Sequence, residues 1–156
     1  YLLTKNYKEA IFRYQKALEM DSEFIDGYIG LGYAYFQNAV EDTINPKEIR
    51  QLLKKSLKSF QKAIQAMDRF DTRLARSRLP RDPKWVLVES HLRKITLGDY
   101  TQSSKARRAR VYFQMGKVYL ALKERTLAIS KFKEALKWDP KNKQIQEVLE
   151  FWKSQK

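Results

Sequence analysis

Small and aromatic residues recur on a fixed schedule in this chain, and nothing else in the sequence narrows the choice of fold as much. MGKVYLALKERTLAISKFKEALKWDP (115–140) sets out Gly116, Tyr119, Ala128, Phe132, Ala135 and Pro140. YKEAIFRYQKALEMDS (7–22) repeats part of that beat, with Ala10, Tyr14 and Ala17 standing where Ala128, Phe132 and Ala135 do. A weaker third copy, LKSFQKAIQAMD (57–68), aligns Phe60 and Ala63, and Ser56 takes the place of the first alanine. The complementary half also recurs: Tyr28, Leu31, Gly32 and Tyr35 have the spacing of Tyr112, Met115, Gly116 and Tyr119. Large apolar residues at i, i+3, i+4 and i+7 make both halves helical. The glycines and alanines then let helices approach closely, and the aromatics fill the space between successive pairs.

On these residues the chain resembles the tetratricopeptide repeat family, whose 34-residue pattern runs W-x2-L-G-x2-Y, then A-x3-F, then P. Tyr112, Met115, Gly116, Tyr119, Ala128, Phe132 and Pro140 meet it, with Tyr for Trp and Met for Leu. The resemblance implies an all-α, right-handed superhelical solenoid of helix-turn-helix repeats, about three of them, ending in a capping helix. Within one domain, 1–156, we expect a truncated repeat at 1–24 and a repeat with an insertion at 25–68. An inserted or degenerate segment at 69–108, a complete repeat at 109–142 and a cap at 143–156 follow. Tyr1 falls on the last aromatic position of a first helix, so most of that helix would lie upstream. Copies would then be able to associate through the apolar edge of Tyr1, Leu2 and Leu3.

Two departures from the pattern stand out. After Gln37 about a dozen extra residues intervene, and INPKEIRQLLKKSLKSFQKAIQAM explains them as a long second helix of about 23 residues. Asn45 suits its cap, Pro46 its first position and Glu48 a capping-box acid. Between Asp68 and Ala109 the signature disappears. SRLPRDPKW (77–85) reads as a loop. A helix is expected from Asp82, with Trp85, Val88, Leu92 and Ile95 as its stripe and Gly98 as its stop. His91 would be a partly exposed residue of that helix, and DYTQSSK (99–105) a second loop. The tail, 143–156, sets Ile145, Val148, Leu149 and Trp152 on one face, as a terminal cap needs.

Composition excludes much chemistry. There is no cysteine and a single histidine, so thiolate sites, cysteine nucleophiles and histidine triads or metal clusters within the chain are ruled out. GYIGLG (27–32) follows no strand and lacks phosphate-loop spacing. Glu41-Asp42 reads as an ordinary loop pair, and no acids are set as general acid/base work demands. No enzyme, metal or cofactor is expected. No apolar run approaches a membrane span. Net charge is +14, and between Arg69 and Arg110 twelve Lys/Arg face four acids, leaving +8 there.

Binding is what remains. The resemblance puts repeat positions 2, 5, 9, 12 and 13 on a concave face. These are Asp26, Ile29, Tyr33, Phe36 and Gln37 in one repeat, and Arg110, Phe113, Lys117, Leu120 and Ala121 in the other. Such a groove suits a partner segment with apolar anchors and acidic flanks. Family members that clamp acidic chaperone tails carry Lys and Asn where this chain has Ile29 and Tyr33, and a basic residue where it has Gln114. That activity is disfavoured. The expected function is a non-catalytic protein-interaction scaffold. The alternative is nucleic-acid or anionic-surface binding through Arg73, Arg76, Arg78, Arg81, Lys105, Arg107 and Arg108.

Overall fold

The computed structural model describes residues 6–76, 84–88, 91–95 and 97–155, with side chains for 6–73, 75–76 and 103–155. Tyr1, Leu2 and Leu3, and the expected edge they form, lie outside the described residues. Among the described residues six α-helices follow one another: α1 (Tyr7–Met20), α2 (Ile25–Gln37), α3 (Pro46–Arg76), α4 (Leu97–Ala121), α5 (Arg125–Trp138) and α6 (Lys143–Ser154). A five-residue π-turn, Asn38–Asp42, prolongs α2. Two strands, β1 (Lys84–Val88) and β2 (His91–Ile95), separate α3 from α4. Neighbouring helices pack as antiparallel pairs, and the all-α solenoid of about three repeats with a terminal cap is the architecture observed.

The small residues sit where two helices meet. Ala10, Ala128 and Ala135 are at most 2% exposed, and Gly32 and Gly116 are buried. A Cβ on Gly32 would fall 2.7 Å from the Phe60 ring, and one on Gly116 would run into that of Phe132. Ser56, the odd member of the alanine series, is wholly buried and donates its hydroxyl to the Gly32 carbonyl at 2.7 Å. That bond removes the penalty of an unmet polar group.

Caps set the helix ends. The Asn6 side chain accepts the Glu9 N–H at 3.2 Å, and Asn142 accepts that of Ile145 at 3.2 Å. Asn45 accepts from Lys47 and Glu48 N–H groups at 2.9 and 3.3 Å, as its place before Pro46 suggests. Between α4 and α5 the chain reverses through Lys123 at φ 64°, with Glu124 N–H to Tyr119 O and Lys123 N–H to Leu120 O, both 2.9 Å. That bond pair is a Schellman turn, and Lys occupies the left-handed position that glycine usually takes.

Two hydrophobic clusters result. The first joins Leu31, Tyr35, Leu53, Leu57 and Phe60 to Val111, Met115 and Val118 of α4. The second gathers Ala109, Phe113, Ala128, Phe132, Ile145 and Leu149. Helix α4 presents a face to each.

The segment before α4 departs from expectation. The helix expected from Asp82 does not form. Residues 84–88 and 91–95 pair as an antiparallel hairpin, Lys84 opposite Ile95 and Val88 opposite His91, so His91 lies on a strand. KWVLV is a short apolar run rich in β-branched and aromatic residues, and the spacing of Trp85, Val88, Leu92 and Ile95 imitates a helical stripe. Gly98 stops nothing, because it lies in the first turn of α4, and the expected loop 99–105 is helical. Helix α3 is longer than foreseen, 31 residues rather than about 23. No proline or glycine interrupts RFDTRLAR (69–76), so the helix continues past the length of a repeat.

Candidate functional site

A cavity of about 280 Å³ opens between α2 and α4, lined by Tyr7, Tyr33, Gln37, Gln114 and Lys117. Tyr33 is held from behind by the Phe60 ring, edge to face with centroids 5.6 Å apart. Burial raises its hydroxyl pKa, and the Arg110 charge and a bond to Gln114 pull it part of the way back. Lys117 extends from α4 so that Nζ lies 5.7 Å from the centre of the Phe36 ring. A cation over an aromatic face is an attraction in its own right, and it crosses the space between the two helices. Tyr33, Phe36, Gln37, Arg110 and Lys117, drawn from two stretches of sequence some eighty residues apart, are therefore neighbours.

One rim is a polar lock. The Tyr7 hydroxyl donates to Glu41 at 2.8 Å, and Gln37 Nε2 donates to the other carboxylate oxygen at 2.9 Å. The Glu41 bond is the largest of the causes that raise the Tyr7 hydroxyl pKa. Tyr7, Gln114 and Glu41 were not foreseen as groove residues. Tyr7 arrives from the helix of the preceding repeat, and Glu41 sits on the π-turn rather than in an ordinary loop. No periodic signal marks either one.

Other expected groove residues lie elsewhere. Phe113 is buried, 5.5 Å ring to ring from Phe132, so it belongs to the second cluster and is no exposed anchor. Ile29 packs against the first cluster, as Tyr33 and Phe36 also do, and Leu120 against the second, and neither Ile29 nor Leu120 is among the residues lining the cavity. Asp26 is exposed and pairs with Arg107 at 3.5 Å.

That pairing bears on the basic segment. Arg108 is 2% exposed and reaches Asp68 and Asp71 at 2.7 and 2.8 Å, with its guanidinium 4.9 Å from the centre of the Trp138 ring. Burial would lower its pKa, but the bonds to Asp71 and Asp68 reverse that and raise it, so the group is held as a cation. It is a structural clasp, not a surface charge. Arg73 pairs with Glu23 at 3.2 Å, beside Arg69 at 3.1 Å. The Arg69 bond leads the causes that lower the Glu23 pKa. Arg76 and Lys105 are exposed, and Arg78 and Arg81 lie outside the described residues. Three of the arginines counted toward a basic patch are thus engaged with acids.

Among the described residues no group of three His, Cys, Asp or Glu is placed to hold a metal ion, and no helix is long and apolar enough to cross a membrane. Family models describe two parts of the chain, as "TPR repeat" over residues 1–38 and "Tetratricopeptide repeat" over 109–142. Each of these two segments is a tetratricopeptide repeat, the unit of a family of non-catalytic scaffolds whose fold generally mediates protein–protein contacts through a helical groove. No curated protein matches it.

Proposed function

We propose that the protein binds a segment of a protein partner between α2 and α4, in the cavity of Tyr7, Tyr33, Gln37, Gln114 and Lys117. The observation that carries this reading is the convergence of apolar rings with two basic groups across that gap. Tyr33 and Phe36 offer a partly buried aromatic surface to an apolar anchor, and displacing water from it supplies affinity. Arg110 and Lys117 are exposed and orient an acidic flank. Glutamines on both walls suit the partner's backbone amides.

A peptide-display library selected on the protein tests the reading. The expected binders combine an apolar anchor with a neighbouring acid, and they lose affinity for Phe36→Ala and for Lys117→Glu. Arg76→Ala/Lys105→Ala leaves them unchanged. Loss in Arg76→Ala/Lys105→Ala with none in Phe36→Ala or Lys117→Glu would move the site to the basic segment and overturn the groove. A steep fall with salt on single-stranded oligonucleotides, through Arg76 and Lys105, would favour nucleic acid instead.

A further inference from the structure

A second and larger cavity, about 600 Å³, lies on the opposite side of α2, between α1 and α3. It is independent of the α2–α4 groove. Tyr28, Leu31 and Tyr35 of α2 form its floor, and Gln15, Leu18 and Glu19 of α1 form one wall. The other wall, from α3, carries Lys55, Lys58 and Lys62. All three lysines are exposed and share one helix face. Lys55 Nζ lies 5.8 Å from the centre of the Tyr35 ring, and Lys62 Nζ lies 5.7 Å from that of Tyr28, so both amines reach over the floor. The floor is fixed as well: Gln15 donates to the Tyr35 hydroxyl at 2.9 Å, and the Tyr28 hydroxyl donates to the Ser22 carbonyl at 3.0 Å. The one acid of the lining, Glu19, is paired with Lys16 at 2.7 Å.

We infer that this channel is a second docking site, for an extended acidic segment of a partner protein. The charge of one wall and the size of the channel carry the assignment, since three lysines answer to no acid of the lining other than the paired Glu19. The seven helical steps from Lys55 to Lys62 span about 10 Å. Same-side side chains of an extended chain recur about every 6.7 Å, so acids at alternate positions face the lysine wall. The intervening side chains then face Leu18 and Gln15 on α1. The pattern that fits is an acid and an apolar residue in alternation.

The probe is a fluorescein-labelled heptapeptide of alternating glutamate and leucine, followed by anisotropy on the full chain, with the glutamine–leucine peptide as control. Binding of the acidic peptide should keep a component in Lys117→Glu, which silences the α2–α4 groove, and that component should weaken at least tenfold when Lys58→Glu/Lys62→Glu is added. Lys58→Gln/Lys62→Gln gives the same reading if the charge reversal impairs folding, which circular dichroism reports. Equal binding of the two peptides, or an unchanged affinity in both lysine variants, would overturn the site. Loss in Lys117→Glu alone would transfer the peptide to the other groove and overturn it too. Tighter binding of an oligothymidylate with the same lysine dependence would replace the polypeptide with nucleic acid.

Discussion

Arg108 shows how little a residue's chemistry reveals its role until its neighbours are known. Within RRAR it has the look of surface charge, yet its side chain is 3% exposed, while those of Asp68 and Asp71 are 62% and 41% exposed. The buried member of the triad is therefore the cation, and its Nε has no hydrogen-bond partner among the described residues. An asymmetry in mutation follows. Asp68→Ala/Asp71→Ala strands a buried charge and should cost about 3 kcal/mol, whereas Arg108→Met leaves two acids already near water and should cost about 1 kcal/mol. Urea midpoints of the two variants decide the order, and the reverse order would mean that the guanidinium escapes to solvent. The partners stand 37 and 40 residues away in sequence, and charge has no period that would have linked them. The same holds for Tyr7 and Glu41 on the groove rim.

At the scale of the element, most of the architecture was legible, because helix pairing is written in short spacings. Helix α2, which carries Tyr28, Leu31, Gly32 and Tyr35, spans Ile25–Gln37 and so ends at the residue after which the repeat spacing breaks. Gly116→Ala tests the spacing directly. Alanine gains up to about 1 kcal/mol in helix propensity, but its Cβ meets a fully buried Phe132 ring and overpacking costs about 1–3 kcal/mol. The variant should melt lower, and an unchanged melt would count against the close approach of α4 and α5. Lys123→Gly should act in the opposite sense. It relieves a left-handed residue in the Schellman turn and raises stability by about 1 kcal/mol in the same measurement. What could not be read was the course of 69–108. A repeat-length template ends helices where a repeat would end, and a five-residue apolar run fits strand and helix alike. Length and partner decide such a run, and neither is local. Phe113 failed for a related reason: its position within a repeat suggested the groove, but burial depends on the Phe132 ring beside it.

In the whole molecule, α4 holds the two clusters together. Val111, Met115 and Val118 belong to the first and Ala109 and Phe113 to the second, while Tyr112 and Tyr119 touch both. Phe132→Ala should cost about 3–5 kcal/mol from the second cluster. Amide exchange should then rise first in α5 and α6, next in α4, and last in α2 and α3. Uniform loss across all six helices would mean that the clusters unfold as one.

The repeat before α4 ends in a 31-residue helix, and α4 begins after a hairpin rather than after a short turn. What joins the two sides of the molecule is therefore side-chain contact: the Arg108 clasp, the Arg107–Asp26 pair, and Met115 and Val118 against the first cluster. That junction should therefore hold without the covalent connection between Arg76 and Leu97. Fragments 1–76 and 97–156, produced separately and mixed, should recombine into one folded particle, while fragments carrying Asp68→Ala/Asp71→Ala should stay apart. The chain then amounts to a split protein whose halves happen to be tethered.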